Sequence, residues 1–183
     1  RKEEDGIRRY LHLGTGNYND VTAKIYTDHG FLTTDPTLCD DASAFFNMLT
    51  GLSHPPKLKK LIFAPNHLRK ELLQRIDREA ENARAGRKAE ILAKMNSLVD
   101  EEVIEHLYDA SRAGVVIRLM VRGICCLRPG IRDVSDNIQV RSIVGRYLEH
   151  SRIFCFYADG RREAYLSSAD WMPRNLDRRV ELM

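Results

Sequence analysis

From Leu58 to Val144 the sequence alternates strand-like and helix-like stretches, and this alternation restricts the fold more than any other feature. Leu58–Ala64 reads as a strand. Asn66 is placed to cap a long amphipathic helix that runs to about Arg84 and stops near Gly86. Ala89–Leu98 reads as a second strand, Val99-Asp100 opens a helix to about Ala113, and Gly114 closes it. Val115–Val121, VVIRLMV, is a strong β-branched strand, and Ile138–Val144 is another after a loop through Pro129, Gly130 and Asp136. Strands alternating with helices imply an α/β sheet with right-handed crossovers, the helices around Arg69–Arg84 and Glu101–Ala113 covering it. Ligands of such sheets bind near strand ends, where Arg122 falls.

The first third is organised differently. Arg8–Leu13 reads as a short strand that contains His12. Gly14-Thr15-Gly16-Asn17 is a turn whose glycines suit a tight bend or a close approach to a ligand. Asn19–Thr34 mixes polar and apolar residues around Tyr26-Thr27-Asp28, and Asp35-Pro36 breaks it. Asp40 is expected to cap a helix over Ala42–Thr50 that stops at Gly51. Ser53-His54-Pro55-Pro56 is the best linker candidate. The chain opens on RKEEDG without a Met and closes on Arg179–Met183 still in a strand pattern, so a fragment of a longer protein is expected.

A net charge of +3 is too small to argue for nucleic acid, yet it leaves room for a local basic site. No apolar run reaches the length of a membrane span, and no signal peptide is visible. Cys39, Cys125, Cys126 and Cys155 have no CxxC or framework spacing and read as thiols of a reducing compartment. His29, His54, His67 and His106 lack ligand spacing such as HExxH, and no residue is assigned to a metal.

The chemistry concentrates in Tyr147–Trp171. There the His150-Ser151-Arg152 triplet enters an alternating strand, IFCFY, a turn follows, and EAYL leads into Ser167-Ser168-Ala169-Asp170. An imidazole, a guanidinium and small hydrogen-bonding side chains at paired strand ends make a plausible phosphate cradle. The two ends of the chain also resemble each other. Leu13–Asn19 can be laid on Leu166–Met172, and Tyr26-Thr27-Asp28 then falls opposite Arg179-Val180-Glu181. In that register residues 1–54 form the tail of one lobe and 57–183 most of a second, similar lobe.

This layout resembles the phospholipase D superfamily, in which each lobe supplies a His-x-Lys and a later small-polar cluster. More closely, YLHLGTGNYN, TAKIYTDHGFLT, VRGICCLRPG, YLEHSRI and YLSSADWMPRNLDRRVE resemble the C-terminal region of the bacterial polyphosphate kinase family. The resemblance covers essentially the whole chain. It implies an α/β fold of phospholipase D-like lobes, each with a mixed β-sheet flanked by helices. It also implies reversible transfer of the ATP terminal phosphate to inorganic polyphosphate, with Mg2+ and a phosphohistidine. By the family's motif order that nucleophile lies upstream of Arg1, as do its magnesium-linked arginines, so this stretch alone is expected to be inactive. The family's nucleotide contacts carry over to Tyr26, Arg122 and His150, and its second histidine position to His12. Arg152 stands where the wider superfamily has Lys. The resemblance further suggests a cytoplasmic homo-oligomer, at times on the inner membrane surface, with ATP, ADP and polyphosphate as partners and no nucleic acid.

Each residue also has a structural reading. His150 suits general acid–base work near neutrality, or it is a core-edge histidine bonded to the sheet. Arg122 suits bidentate phosphate binding, or it pairs with Asp133 or Asp136. Tyr26 stacks on a base or is a buried tyrosine with a satisfied hydroxyl. His12 touches the phosphoryl group or orients another residue, and the GTGN turn offers N–H groups to an anion or only bends the chain. Arg152 would hold phosphates, Ser168 would bond His150, and Arg174, Arg178 and Arg179 would line a polyphosphate path or face solvent. A phospholipase D-type phosphodiesterase or nuclease, and a non-catalytic polyphosphate-binding module, are the alternative functions.

Overall fold

The computed structural model describes residues 1–4, 6–51, 57–65 and 67–183. The expected linker at 53–56 and the expected cap Asn66 lie outside the described residues. The elements that position the site are β1 (Leu11–Gly14), β2 (Gly30–Thr33), α1 (Pro36–Leu49), α2 (Leu68–Arg84), β3 (Glu90–Met95), α3 (Glu101–Arg112), β4 (Val116–Val121), β5 (Ile138–Arg141), β6 (Arg152–Phe156), β7 (Glu163–Ser167) and α4 (Pro173–Asp177). Several two-residue strand pairs join them and are named below by residue.

The main sheet has the order β7-β6-β3-β4-β5. β3, β4 and β5 run parallel, while β6 is antiparallel to both β3 and β7, so the sheet is mixed. Alternation along each strand turns Ile91, Ala93 and Met95, then Ile117, Leu119 and Val121, then Phe154 and Phe156 toward one face. There they meet Leu68, Leu72 and Ile76 of α2 and Val103, Leu107 and Ala110 of α3 in one continuous core. Each of these larger side chains contributes about 1.5–3 kcal/mol by leaving water. Trp171 is fully buried in the same core, its ring 4.9 Å from that of Phe154. The opposite face carries Leu92, Lys94, Arg118, Met120, Ile153 and Cys155 around an open hollow of about 420 Å³.

Helix ends follow local chemistry. Asp100 caps α3 by accepting from the Val103 N–H at 3.1 Å, and its carboxylate also takes two bonds from Arg69 at 2.7 and 2.6 Å. Gly114, at φ +100°, supplies the left-handed turn that ends this helix. Three expectations are corrected here. α1 starts at Pro36, not Ala42. Asp35 is its cap, accepting from the Leu38 N–H at 2.9 Å, and Pro36 occupies the first turn, where its missing N–H costs nothing. Asp40 is therefore inside the helix, paired with Arg9. The strand expected over Leu58–Ala64 shrinks to Phe63–Ala64, which pairs with Glu181–Leu182. The reason is Asp41, a buried carboxylate on α1 that accepts from the N–H groups of Lys59, Lys60 and Leu61. Burial pushes its pKa up, but those three donors outweigh it and hold the carboxyl below its ordinary value. The final strand likewise covers only Glu181–Leu182, and α4 precedes it.

Candidate functional site

The site forms where the first third of the chain meets the entry to β6. Tyr26–Thr27 pairs in parallel with Leu148–Glu149, and the N–H groups of His150 and Ser151 both donate to Thr27 O at 3.1 Å. This pairing delivers His150 to Asp28. Its Nδ1 lies 3.0 and 3.1 Å from the two carboxylate oxygens, and the Tyr26 ring stacks on the imidazole at 4.5 Å and 31°. Asp28 is fixed in turn by the Thr15 hydroxyl at 2.8 Å. Gly16 makes room for that carboxylate, since a Cβ there would sit 2.0 Å from Asp28 Oδ2. Gly16 of the GTGN turn thus admits a side chain of the protein itself.

Arg152 is nearly fully buried and spends its guanidinium on structure. Nε and Nη2 grip Asp170 at 3.2 and 2.9 Å, while Nη1 donates to His150 O at 2.7 Å and to Thr15 O at 3.1 Å. Asp170 also accepts from the N–H groups of Asn96 and Ser97 at 2.7 and 3.2 Å. The Asn96 amide is assigned with its oxygen toward Arg152, which then donates to it at 2.7 and 3.1 Å. The expectation that Arg152 holds phosphates is therefore replaced by a positioning role. Ser168 is corrected as well: its hydroxyl donates to Glu181 Oε2 at 2.5 Å, not to His150.

His150 has its pKa pushed down. Burial is the largest cause, the Arg152 guanidinium adds to it, Asp28 opposes it, and Arg122 lowers it a little further. A neutral ring at pH 7 donates Nδ1–H to Asp28 and keeps Nε2 as its acceptor, 3.2 Å from Arg152 Nη1. Arg122 follows β4 directly, and its Nη1 is buried without a hydrogen-bond partner among the described residues. Asp133 and Asp136 do not reach it. Asp136 accepts instead from the Asp133 N–H, and Asp133 pairs with Arg132.

Tyr26, Arg122 and His150 line one polar cleft of about 230 Å³, together with Arg152, Arg174 and Arg179. Arg178 does not line it. His12 does not either: it faces an adjoining cleft with Tyr18 and His29, and Tyr26 lies at the junction of the two. His12 Nδ1 bonds the Tyr18 hydroxyl, and its ring sits over Gly30, where a Cβ would meet Nε2 at 2.8 Å.

The internal repeat recurs in the hydrogen bonds, in the register read from the sequence. Thr15 Oγ1 donates to Asp28, and Ser168 Oγ to Glu181. The His29 N–H donates to Thr15 Oγ1 at 3.0 Å, and the Leu182 N–H to Ser168 Oγ at 3.1 Å. The Thr15 N–H donates to His29 O, and the Ser168 N–H to Leu182 O, both at 3.0 Å. Asp28, which contacts His150, carried no separate weight in the sequence reading. Its place opposite the acidic Glu181 in the repeat was the signal that could have found it. Lys94, held by Glu149 at 3.0 Å and by Ser151 O at 3.2 Å, had no such signal.

Two family models match the chain. Residues 1–55 match polyphosphate kinase C-terminal domain 1, and residues 61–183 match polyphosphate kinase C-terminal domain 2. The polyphosphate kinase of Rhodopirellula baltica is 57% identical over 183 residues, covering 100% of this chain and 22% of that protein. That of Pseudomonas aeruginosa is 57% identical over 181 residues, covering 99% of this chain and 26% of the relative. The crystal structure of polyphosphate kinase from Porphyromonas gingivalis superposes with a TM-score of 0.91 at 43% identity, covering 96% of this chain and 27% of that one. The chain spans about a quarter of the length of these relatives.

Proposed function

The chain belongs to the polyphosphate kinase family, and from that premise we propose that the protein carrying it transfers the terminal phosphoryl group of ATP, reversibly, to inorganic polyphosphate. One observation carries this reading to particular residues: Tyr26, Arg122 and His150 share one cleft, and Arg122 offers it a buried guanidinium nitrogen without a partner. A buried guanidinium N–H of this kind is costly unless an acceptor completes it.

In this proposal the phosphoryl group passes first to a histidine of the wider protein, outside these 183 residues. The bond between the γ-phosphorus and the bridging oxygen breaks, ADP leaves, and a P–N bond forms. A terminal oxygen of polyphosphate then displaces the histidine. Arg122 binds phosphate oxygens and neutralises charge as it shifts. Tyr26 orients His150 and borders the nucleotide. His150, its Nδ1–H anchored on Asp28, takes a proton at Nε2 from the acceptor's terminal phosphate hydroxyl and returns it in the reverse direction. His12 holds Tyr18 against the adjoining cleft and orients that wall.

Mg2+ would partly neutralise the phosphates, and in such reactions it is held largely by phosphate oxygens and water. Among the described residues no group of three or more His, Cys, Asp or Glu side chains is placed to hold an ion. The two carboxylates that line the cleft are engaged, Asp170 by Arg152 and Glu181 by Ser168, and Asp28 of the adjoining cleft is engaged by His150. No residue of this chain is therefore assigned to the metal. No helix of the described residues is long and apolar enough to cross a membrane. We place the protein in the cytoplasm, at times at the inner membrane surface, as a homo-oligomer that handles ATP, ADP and polyphosphate and not nucleic acid.

The test is turnover by the full-length protein with ATP and Mg2+, followed by polyphosphate formation and acid-labile phosphoprotein. His150→Ala should abolish turnover while ATP still binds, and Arg122→Ala should weaken ATP binding about tenfold or more. Hydrolysis of a phosphodiester without ATP, and no polyphosphate from ATP, would overturn the proposal.

A further inference from the structure

β3 is the middle strand of the main sheet, and the residues that carry the proposed chemistry stand at the ends of its two neighbours. Met95 lies opposite Val121 of β4 in parallel register, so Asn96 and Arg122 emerge side by side. On the other flank Lys94 lies opposite Ile153 in antiparallel register, which brings Asn96 alongside the entry to β6, just after His150. Asn96 is 4% exposed and lines the cleft with Arg122 and His150.

Each polar group of Asn96 is engaged on one of these flanks. Its carbonyl accepts the Gly123 N–H at 2.8 Å, next to the Arg122 N–H that donates to Met95 O at 3.2 Å. Gly123 approaches so closely that a Cβ there would lie 3.1 Å from Asn96 O. The Asn96 N–H donates to Asp170 at 2.7 Å. The amide serves the other flank. Its oxygen accepts from Arg152 Nη2 and Nε at 2.7 and 3.1 Å, and its nitrogen donates to Glu149 O at 2.7 Å. Glu149 O belongs to the peptide that leads into His150, and Arg152 in turn donates to His150 O at 2.7 Å. The side chain therefore holds the backbone on both sides of His150, directly before it and through Arg152 after it. An amide suits this place because it presents one acceptor and one donor in a single plane. A carboxylate of the same shape would turn an oxygen toward Glu149 O and add a second negative charge beside Asp170.

We propose that Asn96 is a positioning residue of the phosphoryl transfer: its main chain seats Arg122 and its amide seats His150, so that one residue sets the spacing between the phosphate-binding cation and the proton-transferring ring. This rests on the function proposed above. The groups that face His150 are Asp28 and Tyr26 from the first third of the chain, Arg152 on β6 with Asp170 behind it, and Arg122 after β4. Asn96 adds no charge to this set. Burial and then the Arg152 guanidinium lower the His150 pKa, and a carboxylate at position 96 would offset the second of these.

The test uses the full-length protein with Asn96→Ala, Asn96→Asp and Gly123→Ala. Asn96→Ala keeps the main-chain bonds and loses the amide, so kcat should fall on the order of 10²-fold while the KM for ATP stays within about twofold of the parent. Gly123→Ala presses a Cβ on Asn96 O and should do the reverse, raising the KM for ATP about fivefold or more with a smaller change in kcat. Asn96→Asp should move the acid limb of kcat to higher pH, and with it the NMR titration of the His150 ring. A parent-like kcat in Asn96→Ala overturns the assignment. So does an equal loss in kcat and in the KM for ATP, with the His150 titration unmoved in Asn96→Asp, which is the result of a merely structural role. If Asn96→Ala does not fold, the shape-preserving Asn96→Asp decides by the titration. If the parent makes no polyphosphate from ATP, it is the proposed function that fails, and the titration still reads whether Asn96 governs His150.

Discussion

Replacing Arg152 by Met removes a guanidinium whose partner cannot leave. Arg152 is 7% exposed and Asp170 5%, and two hydrogen bonds of 3.2 and 2.9 Å join them. Breaking a buried pair from one side costs about 3–5 kcal/mol, because the remaining charge is uncompensated. Asp170 keeps the Asn96 and Ser97 N–H donors at 2.7 and 3.2 Å, which places the expected loss at the lower end, about 3 kcal/mol. The variant also loses the donation to Thr15 O that ties the two repeat units together. Urea unfolding followed by the fluorescence of Trp171, fully buried and adjacent to Asp170, should show the midpoint falling by about 1–3 M. The Arg152→Met/Asp170→Leu double variant should be more stable than the single one, since no buried charge is then stranded. A single variant within about 1 kcal/mol of the parent, or a double variant that is worse than either single, would refute the argument.

The depressed pKa of His150 means that the unfolded chain, titrating near 6.5, binds more protons in that range. His150 thus contributes stability that is present above about 6.5 and lost as pH falls through the folded value. His150→Gln should flatten the acid limb of the unfolding midpoint against pH, and an unchanged slope would exclude the effect. Gly16→Ala places a Cβ 2.0 Å from Asp28 Oδ2, and a flexible carboxylate yields more easily than backbone. The fold should survive while Asp28 leaves His150, so turnover should drop on the order of 10²-fold with near-normal thermal unfolding. Asp100→Ala removes both the α3 cap and an Arg69 partner and should cost about 2–4 kcal/mol. Asp100→Asn keeps a capping oxygen and should cost about half as much in the same urea assay.

How far the sequence can be read depends on whether the deciding contact is local. The parallel strands around Val116–Val121 and the two long helices were legible because their apolar periodicity is continuous. Asp35-Pro36 does end the preceding stretch, and an acidic cap followed by Pro in the first turn is also a helix start, which the expected cap at Asp40 misses. Nothing local warns that the Leu58–Ala64 run will be interrupted, since the cause is Asp41 on another element. The same distinction holds in the site. The resemblance to the family, more than the residue types, grouped Tyr26, Arg122 and His150, and the fold places all three along one cleft. The fate of Arg152 was not visible, because its partner is selected by the pairing of β6 with β7, which aligns Arg152 with Ser167 just before Asp170.

The repeat explains why the cleft is lopsided. Each unit uses the same frame: a Thr or Ser hydroxyl bonded to an acid, and a main-chain N–H bonded back to that hydroxyl. With the frame held constant, the side chains that the units present can differ without refolding either one. One unit places Tyr26 against His150, while the other places Arg179 at the matching position. Asn17 of the first unit faces the same cleft as Asp170 of the second, but only Asp170 carries the buried guanidinium of Arg152. Two equivalent walls would suit a symmetric ligand. Walls that diverge, one carrying Tyr26 and the other Arg179, present unlike groups to whatever the cleft holds.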